Sequence, residues 1–114
     1  MSIHFYGIPN CDTVKKARKW LDAKGLAYQF HDYKKEGADQ DKLTAWVDDA
    51  GWETVLNRRG TTFRQLSDAD KTDIDAAKAV QIMAEHPSTI KRPVVEYSGG
   101  LLVGFNESEW EAAF

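Results

Sequence analysis

The segment 5–14 constrains the fold of this chain more than any other stretch. Ile3 and Phe5 belong to a short alternating pattern that predicts a strand, which Gly7 and Pro9 bring to an end. From Asp12 onward, apolar residues recur at i, i+3 and i+7, which predicts a helix. The chain therefore passes from a strand through a tight turn directly into a helix.

The only cysteine, Cys11, lies in this turn, immediately before the predicted helix. Unpaired N–H groups and the positive end of the helix dipole stabilise a thiolate at such a position. Asp12 opposes this effect, whereas four cationic residues of the next two turns support it: Lys15, Lys16, Arg18 and Lys19. A buried structural thiol is the alternative, because free cysteine packs as a small apolar residue. The strand–turn–cysteine–helix arrangement favours a reactive thiol.

Length and composition limit the possible architectures. The chain has 114 residues, 42% of them hydrophobic, which suits a single domain 1–114 with one core. Its formal net charge of −3 gives no basic surplus for binding nucleic acid directly. We expect no membrane-spanning segment and no export leader. A lone cysteine cannot form an internal disulfide, so we expect a reducing cytoplasm.

The outer parts of the chain predict strands and two helices. The first helix runs from Asp12 to about residue 24 and ends at Gly25, and residues 27–33 then alternate as a second strand. Residues 93–97 and 101–103 flank a Ser-Gly-Gly turn and predict an antiparallel hairpin. Asn106 and Glu109 resemble a capping box that begins a final helix.

The middle of the chain, about 38–86, predicts a helical insertion. Asp39 or Asp41 can cap its first helix, which Gly51 ends. Ser67 and the residues after it resemble a capping box, and a last helix is predicted at about 74–85. The complete order is β-α-β, helical insertion, β-β-α, which is an α/β thioredoxin-like fold with a mixed sheet.

Three arginines are candidates for the site. Arg92-Pro93 stands where thioredoxin-like proteins place a cis-proline beside the active thiol, so we expect this bond to be cis. The Arg92 guanidinium could neutralise a thiolate or an anionic ligand. Arg58 and Arg59 precede Gly60 in a loop of the insertion, and at most one of them is expected to act, with Arg59 favoured. Surface arginines without a function are the alternative.

Three motifs together resemble the arsenate reductase–Spx (ArsC-like) family, and most closely its small YffB-like members. The motifs are residues 6–11, residues 57–63 and residues 91–95, and the resemblance runs essentially end to end. It implies that Cys11 is the nucleophile and that Arg59 (or Arg58) and Arg92 match two arginines around it. The implied substrate-binding set is Asn10, Thr13, Arg58, Arg92 and Pro93.

Two departures separate this chain from the arsenate reductases of that family, and one separates it from Spx. Gly7 stands where the reductases have a histidine, and Phe105 stands near the place of their third arginine. Spx regulators commonly have a second cysteine three residues after the first, where this chain has Val14. The resemblance therefore implies that the thiol site is intact, that the oxyanion site has fewer binding residues than in the reductases, and that the Cys-x-x-Cys switch is absent.

These observations predict a glutathione-dependent thiol/disulfide reductase that uses one nucleophilic cysteine. The alternatives are an arsenate reductase coupled to glutathione and glutaredoxin, or a non-catalytic Spx-like adaptor that binds RNA polymerase. We expect glutathione as co-substrate, no permanently bound cofactor and no metal, because His4, His31 and His86 lack metal-ligand spacing. Glutaredoxin or a protein disulfide is a further expected partner, and we expect a monomer.

Overall fold

The computed structural model describes residues 2–114, and its contacts divide the chain into two compact units. The sheet unit extends to Glu36 and resumes at Arg92–Phe114, while the helical unit is Gly37–Lys91. The helical unit corresponds closely to the predicted insertion. That the chain forms a single domain stays a prediction.

Four strands form one mixed sheet in the order β2-β1-β3-β4. The strands are β1 His4–Gly7, β2 Gln29–Asp32, β3 Val94–Tyr97 and β4 Gly100–Val103. Strands β1 and β2 are parallel, whereas β3 is antiparallel to both β1 and β4. This topology confirms the predicted α/β class with a mixed sheet.

Helix α1, Asp12–Ala23, connects the two parallel strands. Val14, Ala17 and Leu21 lie on one face and are fully buried, which confirms the face predicted from their spacing. Gly25 follows the helix with a φ of 71°, a left-handed conformation that costs glycine little. The chain turns here, and the Leu26 N–H donates to the Leu21 carbonyl at 3.1 Å.

The core of the sheet unit lies between one face of the sheet and helices α1 and α8, the latter Glu107–Ala113. Its members are Ile3, Phe5, Val14, Ala17, Leu21, Val95 and Trp110. The Trp110 side chain is fully buried, and its indole N–H donates to the Gly104 carbonyl at 3.1 Å. The Asn106 side chain accepts from the Glu109 N–H at 3.2 Å, as the capping pattern predicted.

The second strand ends earlier than predicted, because Asp32 initiates a turn. Its carboxylate accepts from the backbone N–H groups of Lys34 and Lys35, at 3.0 and 3.2 Å. Tyr33 is therefore the first residue of a short helix, α2, Tyr33–Glu36, instead of the last residue of the strand.

The helical unit contains five short helices and a 3₁₀ turn. The helices are α3 Gln40–Ala50, α4 Trp52–Val55, α5 Thr61–Arg64, α6 Asp68–Lys71 and α7 Ala76–Glu85, and the 3₁₀ turn is Pro87–Thr89. Asp39 caps α3, which resolves the choice between Asp39 and Asp41. Helix α7 begins later than the predicted residue 74, because the Asp75 side chain caps it by accepting from the Lys78 N–H at 2.8 Å. Across residues 2–114, no helix has the length and apolar character needed to cross a membrane.

Gly7, the last residue of β1, packs against Val14 of α1. A Cβ atom on residue 7 would lie 3.1 Å from Cγ2 of Val14, tighter than ordinary packing, and 3.4 Å from the Phe5 ring. Val14 and Phe5 are both fully buried, so neither can move easily. The histidine that the resemblance to the arsenate reductases implies at this position would require Val14 to move by a few tenths of an ångström.

We predict that Gly7→Ala lowers the free energy of unfolding by about 1–3 kcal/mol, because the added methyl group overpacks the contact with Val14. In a Val14→Ala background both Cγ atoms are absent, and the same substitution should cost much less. Urea denaturation of the four proteins measures this coupling. Equal costs in the two backgrounds would contradict the steric explanation.

Candidate active site

The sheet topology brings three segments to one edge. Gly7 pairs with Asp32 at the carboxyl ends of the parallel strands, so the loop to Cys11 and residue Tyr33 both begin at this edge. Strand β3 runs in the opposite direction and pairs Val94 with Tyr6, so Arg92 precedes it at the same edge. Cys11, Tyr33 and Arg92 therefore share one edge of the sheet unit.

Cys11 is the N-cap residue of α1, as predicted from the sequence. Its backbone is extended, with φ −144° and ψ 127°, and its carbonyl accepts from the Lys15 N–H at 2.9 Å. Its side chain makes no capping hydrogen bond; it is a free thiol, half-buried against the core of the sheet unit. A thiol in this place is close to the N–H groups of the first helical turn.

The cationic residues of α1 differ in where their charges lie. Lys15, Lys16 and Lys19 are exposed. Arg18 is instead held against aromatic rings: its guanidinium lies 4.3 Å from the Phe30 ring centroid, and its Nε donates to the Tyr28 hydroxyl at 3.0 Å. Arg18 therefore has a packing role that the sequence did not indicate.

The Arg92–Pro93 peptide bond is cis, as expected. Pro93 is buried and its carbonyl accepts from the Gly104 N–H at 2.7 Å, which ties this segment to the residue after β4. The Arg92 side chain is half-buried. Its charge acts on the third residue of the edge, Tyr33.

Tyr33 is the residue that the sequence analysis missed. It is only 2% exposed, and burial raises the pKa of its hydroxyl above the ordinary range. The positive charge of Arg92 acts in the opposite direction, while Cys11 and Asp32 add to the rise in this pKa. Because Cys11 and Arg92 both change the pKa of Tyr33, the three residues share one electrostatic environment. Its alternating sequence context indicated only a strand.

The remaining predicted residues fall in two places. Asn10 and Thr13 are exposed and flank Cys11 in the sheet unit. Arg58 and Arg59 belong to the helical unit, where they line a cavity of 240 Å³ together with Asn57 and Lys91.

The two adjacent arginines have different surroundings within the helical unit. Arg58 lies 3.8 Å from a Glu53 carboxylate oxygen and 5.2 Å from the Trp52 ring centroid. The Arg59 backbone N–H donates to the Asn57 side chain at 3.1 Å, and its own side chain is exposed. Arg58 is thus partly engaged, which favours Arg59 as the arginine available to a ligand.

The three histidines contact neighbouring residues of the fold. His4 Nδ1 and His31 Nε2 lie 3.0 Å apart, a hydrogen bond between neighbouring strands, and Tyr6 stacks on His31 with ring centroids 4.5 Å apart. The His86 carbonyl accepts from the backbone N–H of Thr89 at the end of α7. Among residues 2–114, no three His, Cys, Asp or Glu side chains form a group that could hold a metal ion.

Comparison with known proteins identifies relatives along almost the whole chain. The model of the ArsC family matches residues 6–113. A solved structure of a YffB protein is 54% identical, with a TM-score of 0.95 and 97% of each chain covered. An arsenate reductase (ArsC) related protein from Brucella melitensis is 51% identical, with a TM-score of 0.78, 98% of this chain and 93% of that chain covered.

A more distant relative is the global transcriptional regulator Spx of Streptococcus mutans. It is 26% identical over 106 residues, which cover 91% of this chain and 77% of Spx. These matches confirm the resemblance inferred from the three sequence motifs, and the solved structures confirm the thioredoxin-like fold.

We predict that Tyr33 makes stability fall with rising pH in the alkaline range. Because its pKa is raised in the folded state, the folded protein keeps a proton that the unfolded chain loses near pH 10. Its contribution is therefore fully present below about pH 10 and lost above it. Urea denaturation between about pH 8 and pH 11 should show a steeper decline for the unmodified protein than for Tyr33→Phe. Parallel curves would contradict this assignment.

Proposed function

Since this chain belongs to the ArsC family, we propose that Cys11 is the nucleophile of a glutathione-dependent thiol/disulfide reductase. The observation that supports it most is the place of Cys11: a half-buried free thiol at the N-cap of α1, at the sheet edge that also holds Arg92. Helix N-terminal N–H groups and a neighbouring cation both favour the thiolate, which is the reactive form.

The reaction has two exchange steps. The Cys11 thiolate attacks one sulfur of a disulfide; a new S–S bond forms, the old one breaks, and the other half leaves as a thiolate with the electron pair. A glutathione thiolate then attacks the mixed disulfide. If the substrate is a glutathionylated protein and Cys11 attacks its glutathione sulfur, this second step releases Cys11 as a thiolate and forms oxidised glutathione. With one cysteine in the chain, a second molecule must supply the resolving thiol.

Arg92 has two proposed roles at this site. Its half-buried guanidinium stabilises negative charge on the sulfur, and it attracts a carboxylate of the incoming glutathione. By family resemblance, Asn10, Thr13 and Pro93 contribute to binding the ligand, and Arg59 (or Arg58) supplies a second cation. Glutathione is small and anionic, which suits a site with few cations.

The two other candidate functions have less support. The relatives described as arsenate reductase-related favour arsenate as a substrate, but Gly7 and Phe105 replace two residues of that site. The Spx relatives favour an adaptor role at RNA polymerase, but fully buried Val14 occupies the position of the second Spx cysteine. The proposed chemistry needs a reducing compartment, such as the cytoplasm, and the partner besides glutathione would be glutaredoxin or a protein disulfide.

We predict that oxidised glutathione forms a reversible mixed disulfide with Cys11. Intact-mass measurement should show one glutathionyl group on the unmodified protein, removable by reduced glutathione, and none on Cys11→Ser. Repeated disulfide reduction without any added thiol would contradict the single-cysteine mechanism.

We predict that Arg92→Ala weakens glutathione binding about 10- to 150-fold, the range for losing a hydrogen bond to a charged group.

We predict little or no arsenate reduction, because a thiol–arsenate adduct concentrates charge that needs several fixed donors. Loss of one such donor can cost about 10²–10³ in rate. The measurement is arsenate turnover with glutathione and glutaredoxin, for the unmodified protein, Phe105→Arg and Cys11→Ser. Glutathionylation of the first two in the same preparations shows that their thiol site is intact. Robust turnover by the unmodified protein would make arsenate reductase the better assignment.

A further inference from the structure

We propose that a groove between α1 and the start of α8 binds an acidic segment, with an aliphatic side chain, of a protein whose disulfide Cys11 attacks. This inference rests on the thiol chemistry proposed for Cys11 and adds the kind of protein partner that the site would select.

The groove has a volume of 740 Å³, and all the residues that line it belong to the sheet unit. Its α1 side carries Lys16, Lys19 and Trp20, and its other side begins at Phe105 and continues into the first turn of α8. The two aromatic rings are half-buried, with centroids 6.5 Å apart, whereas both lysines are exposed. An apolar floor with a polar rim is the usual anatomy of a contact between proteins.

Trp20 keeps a polar group available to a ligand. Among residues 2–114 its indole N–H has no hydrogen-bond acceptor, whereas the indole N–H of Trp110 donates to the Gly104 carbonyl. A half-buried tryptophan of this kind offers a flat apolar surface and a donor for a backbone carbonyl. Tryptophan is also enriched among the residues that dominate the binding energy of protein interfaces.

The two lysines give the groove its charge preference. Among residues 2–114 neither Lys16 nor Lys19 forms an ion pair, whereas Lys24 Nζ of the same helix lies 3.9 Å from a Glu111 carboxylate oxygen. Because they are three residues apart, they are neighbours on the helix surface and can reach carboxylates of one bound segment. Glu107 lines the α8 side, and its charge opposes a uniformly anionic ligand such as a nucleic-acid backbone.

The groove begins close to the thiol. Lys16 follows Cys11 by five residues, which is about 7.5 Å along the axis of α1. On the other side the Gly104 N–H donates to the Pro93 carbonyl at 2.7 Å, so Phe105 directly follows the residue bonded to the cis-proline. Roughly two or three extended residues, at 3.3 Å each, would therefore connect a disulfide at Cys11 with the groove.

Synthetic peptides that carry one cysteine as a mixed disulfide with 2-thiopyridine test this preference. The Cys11 thiolate attacks the peptide sulfur, a Cys11–peptide S–S bond forms, and the thiopyridine sulfur leaves with the electron pair and takes up a proton. The absorbance of the released thiopyridone gives the second-order rate.

Two peptides are compared. The acidic peptide has one leucine and two aspartates on each side of its cysteine, and in the basic peptide lysines replace the aspartates. The ratio of the acidic to the basic rate cancels differences in the intrinsic reactivity of the thiolate. The unmodified protein should give a ratio of about two to thirty, the range for two exposed ion pairs.

The variants separate contact in the groove from the general field of the protein. Lys16→Glu combined with Lys19→Glu should reverse the preference. The matched control is Lys34→Glu combined with Lys35→Glu, which makes the same change in charge on two exposed lysines outside the groove. These control lysines belong to α2, which begins at the same sheet edge as the loop to Cys11. The control should keep the preference for the acidic peptide.

A third peptide tests the aromatic floor. Replacing both leucines of the acidic peptide by serine should slow its reaction about three- to tenfold, because the partial burial of leucine against Trp20 and Phe105 is lost. Circular dichroism and reaction with iodoacetamide verify that each protein variant is folded and that its thiol is reactive.

Four outcomes would overturn the proposal. They are an unchanged ratio in the folded groove variant, an equal fall of the ratio in the groove variant and the control, equal rates for the leucine and serine peptides, and a ratio that depends on protein concentration, since a second copy would then fill the groove. If the glutamate variant does not fold, Lys16→Gln combined with Lys19→Gln provides the test. A ratio that falls towards one then supports the groove, and an unchanged ratio overturns it.

The proposed function fails in a different way. Absence of glutathionylation in the unmodified protein would count against glutathione as the co-substrate, whereas the preference between the peptides needs no glutathione and would persist.

Discussion

The contact between Gly7 and Val14 is the constraint on which the site depends. It brings β1 against α1, and a Cβ on residue 7 would already come within 3.1 Å of Val14. These are also the positions where the family resemblance gives the arsenate reductases a histidine and Spx a second cysteine. The two departures therefore lie on opposite sides of one packing contact. Gly7 in the strand is small, and Val14 in the helix is branched and apolar. Cys11 lies in the turn between these two packed elements.

The chemistry proposed for this edge rests on a free thiol and an arginine at the same edge of the sheet unit. Cys11 caps α1 with its backbone and leaves the thiol without a capping hydrogen bond, so the sulfur remains available. Arg92 supplies one cation from the segment before β3, and Tyr33 supplies a buried neutral hydroxyl. In the proposed disulfide exchange, charge passes from one sulfur to another.

The sequence predicted the elements that local signals define, and failed where side chains redirect the backbone. The buried face of α1, the Gly25 turn and the Asn106 cap were predictable because each has a local cause in propensity or capping, whereas the cis bond at Pro93 was predicted from its place in the thioredoxin-like fold. Tyr33 was not predictable, because the Asp32 carboxylate ends the strand before it and the strand register puts it at the edge from which the loop to Cys11 begins. The partner of Arg18 was missed for the same reason, since its contact with Phe30 is made between α1 and β2.

The aromatic packing around Phe105 bears on the proposed choice of substrate. Its ring meets Trp110 edge-on with centroids 4.9 Å apart, and it also contacts Trp20. An arginine here would lose these aromatic contacts, each worth roughly 0.5–1.5 kcal/mol beyond the buried area. The packing that holds α8 on the sheet therefore opposes a third cation at this position. A compact oxyanion needs several donors around one centre, whereas the carboxylates of glutathione can be bound separately, which is why we propose thiol exchange rather than arsenate reduction.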